Sequence, residues 1–132
     1  MIFVPEAYSD AWLELPIAYV ARVAEVLGAE RWWDDPFDPR DATILLGHGR
    51  ALVWDEESGW RRGTFLSGRK GVRTELAGAL YLGGGVLPEP ERVAELLAGG
   101  GAERPVYRSY RDIGDGFDQK LVRYVGGLVG SR

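Results

Sequence analysis

The sequence contains no cysteine, one histidine (His48), one methionine and two lysines. Without thiols there is neither a disulfide scaffold nor a thiolate metal site. A single imidazole excludes the paired-histidine zinc motifs. Charge or glycine interrupts every apolar run well short of the ~18 residues expected of a spanning helix, so no membrane association is expected. Cationic excess is missing as well: 16 basic against 20 acidic residues leave a net charge of −4, which argues against a chain built wholly for nucleic acid. The N-terminal Met1-Ile2-Phe3-Val4-Pro5-Glu6 has no basic stretch and is followed by Asp10, so no signal peptide is expected. A cytoplasmic location follows as an expectation.

What is present suffices for one domain over residues 1–132, with 45% hydrophobic residues. A chain of this length buries ~65–70% of the surface it exposes when unfolded and needs no covalent staple. Pro16 at a first helical position, with Ile17, Val20, Ala24 and Leu27 on one face, predicts a helix over 16–27 that Gly28 closes. Ser9-Asp10 suits the cap of a short extra turn through Trp12 and Leu13. Residues 29–41, with Trp32-Trp33, four aspartates and Pro36 and Pro39, read as a loop. Strands are expected at 42–46, 50–54, 60–66 and 72–82. The separators between them are Gly47-His48-Gly49, Asp55–Gly59 and Ser67–Gly71, short enough for antiparallel connections. A second helix is expected over 88–98, an edge strand over 105–110 and a third helix over 116–128. This order lacks the strand–helix alternation of a parallel sheet. The fold class is therefore α+β: a twisted antiparallel sheet of about four to five strands with helices on one face. Its core is expected to hold Val20, Val23, Leu52, Trp54, Leu80, Leu82, Val93 and Leu97.

Three stretches go together: Tyr19-Val20 with Val23–Gly28, the run Ala51–Trp60 built around Trp54-Asp55-Glu56, and Tyr81-Leu82-Gly83-Gly84-Gly85-Val86-Leu87-Pro88-Glu89-Pro90. As a set they resemble a family of short actinobacterial proteins known as a domain of unknown function. The resemblance covers about residues 16–98. This chain departs from the family pattern at Gly85, where an Asp is frequent, and its hairpin is more basic. Residues 104–132 fall outside the resemblance, which implies a fold and supplies no activity. Abundant Arg and Gly with few Lys agree with a GC-rich bacterial source.

No catalytic set emerges. Gly83-Gly84-Gly85 ahead of a helix suggests a phosphate loop, but Pro88 and Pro90 remove donors, Glu89 and Glu91 repel an anion, and no Lys-Ser/Thr pair follows. His48 has no neighbouring acid in the chain to orient it as a base. The aspartates at 34, 35, 38 and 41 lack the spacing of a calcium loop and suit turn formation. The densest signal is basic. Arg61, Arg62, Arg69, Lys70 and Arg73 fall within 13 residues that contain no acid, enough for a positive lobe facing phosphates or an acidic protein. Trp32, Trp33 and Trp60 are candidate apolar anchors. The favoured expectation is a non-catalytic accessory or regulatory module that binds a protein partner of acidic character, without metal or cofactor. Nucleic-acid binding through the 61–73 hairpin, or a pocket between sheet and helices in a small enzyme or ligand-binding protein, are the alternatives.

Overall fold

The fold is given by a computed structural model that describes residues 3–99 and 104–130, with side chains to residue 125. The Ser9 hydroxyl accepts from the Trp12 N–H and starts α1 (Asp10–Leu13). The expected amphipathic helix follows as α2 (Ile17–Leu27). Gly28 ends it in the left-handed region at φ 63°, which lets the Ala29 N–H reach the Ala24 carbonyl at 2.9 Å.

Five antiparallel strands then run in sequence order: β1 (Arg31–Asp35), β2 (Asp41–Gly47), β3 (Arg50–Asp55), β4 (Gly59–Arg69) and β5 (Val72–Tyr81). The segment expected to be a loop at 29–41 supplies an edge strand. Trp32 and Trp33 alternate between core and opposite face there, opposite Ile44 and Thr43. The prolines do not prevent this because they lie in the β1–β2 connection, where the Asp38–Pro39 peptide is cis. Two helices close the chain, α3 (Pro90–Leu97) and α4 (Phe117–Gly130). The strand expected at 105–110 does not form. That segment instead lies along the β3–β4 turn, with the Tyr107 N–H bonded to the Glu57 carbonyl at 2.8 Å. Among the described residues no helix is long and apolar enough to cross a membrane.

One face of the sheet carries Ala42, Ile44, Leu52, Trp54 and Trp60. It meets Tyr19, Val20, Val23 and Ala24 of α2, Val93 of α3, and Phe117 and Leu121 of α4. The polar atoms of Tyr19, Trp54 and Trp60 inside this core are matched. The Trp60 indole donates to the Tyr19 hydroxyl at 3.0 Å, Tyr19 donates to the Pro88 carbonyl at 2.6 Å, and Trp54 donates to the Val86 carbonyl at 2.8 Å. The glycine-rich junction after β5 thus presents carbonyls to core aromatics. Leu80, expected in the core, is 42% exposed, because it lines an open hollow beside Arg62 and Leu97.

The opposite face is buried too, at Thr43, Ala51 and Val53. The cover is the far half of the β4–β5 hairpin. Its register slips between Arg62 and Thr64, between Phe65 and Ser67, and between Ser67 and Arg69. Such bulges sharpen the bend of a ribbon. Gly63 permits the first of them: a Cβ there would lie 2.8 Å from the Ala77 carbonyl oxygen. The ribbon folds back across the sheet, so that Phe65 meets Trp33 edge-on and Thr74 bonds Thr43 at 2.6 Å.

Candidate functional site

The folded-back hairpin places the basic run against the acidic β1–β2 segment. Lys70 Nζ donates to Asp34 Oδ1 at 2.8 Å and to its carbonyl at 2.6 Å. The Gly71 N–H donates to Asp35 Oδ1 at 2.6 Å, and Arg73 to Asp41 Oδ2 at 2.8 Å. Arg61 pairs with Asp55 at 3.1 Å. Neutralisation of the run is thus shared between Asp55 and two aspartates far upstream. Asp34 and Asp41, 36 and 32 positions upstream of Lys70 and Arg73, do most of it, because the bent ribbon carries its tip to β1 and β2. Arg62 and Arg69 have no carboxylate partner among the described residues.

The three tryptophans of the sequence reading are dispersed. Trp60 is fully buried in the helix-side core. Trp33 is covered by the hairpin, and half-buried Trp32 packs against the core. None forms a stacking platform with the basic residues. His48 sits on the exposed β2–β3 turn at φ 55°.

Asp35, Asp41 and Asp55 occupy one cross-strand rung of β1, β2 and β3, all buried. Burial is the main cause that pushes the Asp41 pKa up to about 7. Arg73 pulls it down, while Asp35 and Asp55 add repulsion. The ion pair does not win here because the Arg73 side chain is 48% exposed and its charge is screened by water. Among the described residues no group of three or more His, Cys, Asp or Glu side chains is arranged to hold a metal ion.

Sequence reasoning missed a second ionic cluster, assembled from distant segments. Glu56 is fully buried and accepts from Arg40 at its backbone N–H (2.6 Å), Nε (3.1 Å) and Nη2 (2.8 Å), and from Arg108 Nη1 at 3.1 Å. Arg40 also reaches Asp118 at 3.1 Å and lies 3.5 Å from the centre of the Trp12 ring, whose indole donates to Asp118 at 2.8 Å. Arg108 continues to Asp115 at 2.8 Å and stacks over Phe117 at 4.0 Å. The only sequence signal was an Arg or Glu in otherwise turn-like stretches. Every carboxylate in this cluster meets a guanidinium or an indole, which suits a brace and leaves no free base for catalysis.

Several exposed apolar side chains are carried by the segments that build this brace. Tyr8 stacks on Trp12 at 4.6 Å and is 48% exposed. The 104–115 segment adds Val106, Tyr107 and Ile113 at 62%, 44% and 49% exposure. The exposed Arg104 and Arg111 flank them. At the other end of β3 is a hollow of about 340 Å³ lined by Leu46, Arg50, Arg62, Leu80 and Leu97.

Fold and site together define a small α+β fold in which a curled five-stranded meander is braced by buried ion pairs. The chain belongs to a family of unknown function, DUF6292, whose pattern matches residues 19–99. No curated protein and no solved structure matches it.

Proposed function

We propose that the protein is a non-catalytic accessory or regulatory interaction module of the cytoplasm that docks an acidic protein partner. The observation that carries the reading is the exposure of Tyr8, Val106, Tyr107 and Ile113 on the segments around the β3–β4 turn, with the exposed Arg104 and Arg111 in the same segments. Aromatic and arginine side chains are the usual anchors of protein interfaces, and exposed apolar patches mark such surfaces. The guanidinium of Arg111 stands 5.4 Å from the centre of the Tyr110 ring and donates Nε–H to the Tyr110 hydroxyl at 3.2 Å, and it meets no carboxylate among the described residues. The basic hairpin contributes chiefly through Arg69. Three of its other four cations already meet carboxylates, which favours a protein partner over nucleic acid, whose binding rests on free cations facing phosphates.

The test is affinity capture on the immobilised full chain, with the double variant Tyr107→Ser/Ile113→Ser as comparison. Both sites are exposed, so the variant should melt with the wild type. A partner held by the wild type and lost from the variant supports the reading. Identical captured proteins on both, or retention of duplex DNA alone with a steep salt dependence, overturn it.

A further inference from the structure

We propose that the hollow at the β2–β3-turn end of the helix-side face is a binding site for a small organic carboxylate with an aliphatic body, held by Arg50 and Arg62. Alternation along β3 and β4 puts Arg50, Leu52, Arg62 and Thr64 on the face that α2, α3 and α4 cover elsewhere. Leu52 is buried there, yet its cross-strand neighbour is Arg62, a cation on a core-facing rung. The C-terminal end of α3 reaches this rung through Leu97 and, just beyond the helix, the Gly99 carbonyl. The register slip between Arg62 and Thr64 opens the backbone beside it, and the result is the cavity of about 340 Å³. That volume lies at the lower end of the ~300–1,000 Å³ typical of small-molecule sites.

The positive charge of the hollow is uncompensated by its lining. Arg40, Arg61, Arg73 and Arg108 each meet a carboxylate. Arg50 and Arg62 meet none among the described residues, and no Asp or Glu lines the cavity. Among the described residues Arg62 is held by one long contact, Nη2 to the Gly99 carbonyl at 3.4 Å, and its buried Nε–H meets no partner. A buried donor left unmatched costs ~1–3 kcal/mol, and such breaches collect at functional sites. A guanidinium tethered so loosely can turn its fork toward a bound anion and satisfy Nε. The planar fork matches a carboxylate edge to edge, while Leu46, Leu80 and Leu97 offer apolar walls to the rest of the ligand. This site lies at the opposite end of β3 from the proposed partner surface, so the two stand or fall separately.

The experiment is an NMR titration of the full chain, labelled with ¹⁵N and ¹³C, with sodium octanoate. The expected result is a saturable shift of the Arg62 Nε–H signal and of the Leu46, Leu80 and Leu97 methyls. Arg62→Gln should weaken binding about tenfold, as expected for a lost charge-assisted hydrogen bond. Arg50→Gln, at an exposed position where folding is not at stake, should weaken it as well. Octylamine binding as tightly as octanoate, inorganic phosphate moving Arg62 as strongly, shifts confined to other surfaces, or no shift up to the solubility limit of octanoate would each overturn the proposal.

Discussion

Glu56→Gln keeps the shape of the side chain and removes its charge, which makes it a sharp probe of the brace. In the native protein Glu56 faces four donors from Arg40 and Arg108, and both Glu56 and Arg40 have side chains at most 1% exposed. A glutamine offers one acceptor oxygen and turns an amide NH₂ toward guanidinium donors. Breaking a buried pair by neutralising one partner costs ~3–5 kcal/mol, since the other charge stays buried and short of its counter-charge. Asp118, still 3.1 Å from Arg40, and Asp115, 2.8 Å from Arg108, hold part of that back, so the lower figure of ~3 kcal/mol is expected. Against a total stability of ~5–15 kcal/mol this is a large share, equivalent to a fall in Tm of roughly 10 °C. Urea unfolding followed by far-UV circular dichroism and tryptophan fluorescence measures it. Repeating the series in 0.5 M NaCl should leave the difference in place, because buried pairs are little screened. A loss below ~1 kcal/mol, with an unchanged denaturant slope, would refute the assignment of the cluster as a structural brace.

Asp41 supplies a pH prediction. Its folded pKa, about 7, lies above the ordinary carboxylate value, so the folded state holds this proton more tightly than the unfolded chain. The stability it contributes is full below pH ~4 and is lost as pH rises through about 7. Asp41→Asn should flatten the stability profile between those limits, and parallel profiles of variant and wild type would contradict it. Leu52→Ala, at a fully buried site, should cost ~2–5 kcal/mol, whereas Leu80→Ala, half exposed, should cost under ~1 kcal/mol by the same denaturation. Gly59→Ala should destabilise by more than ~1 kcal/mol, because φ is +74° and a Cβ would lie 2.5 Å from the Gly85 carbonyl oxygen; an unchanged Tm would mean that this junction yields. Lys70→Glu should loosen the hairpin tip by setting a carboxylate against Asp34, seen as faster amide exchange at Gly71, while Arg69→Glu should stay within ~0.5 kcal/mol of wild type.

Local patterning determined much of this protein by itself. The 3.6-residue spacing from Ile17 to Leu27, the turn residues at 47–49 and 55–59, and the Gly83–Gly85 junction into a proline-started helix located α2, two strand connections and α3. These signals are carried by residues near one another in the chain, where backbone preference and side-chain period act directly. β1 was hidden because its residues, Arg31–Asp35, are polar or bulky and close to prolines; its strand geometry comes from pairing with β2. The fate of the basic run was decided only in three dimensions. Sequence showed five cations without local acids, but the bulged hairpin brings Lys70 and Arg73 to Asp34 and Asp41 from more than 30 residues away. The same holds for Arg40, Glu56, Arg108 and Asp118. Separately each is an unremarkable surface-type residue, and burial together makes them a brace, since desolvated charge is tolerated only where distant segments converge with matching partners.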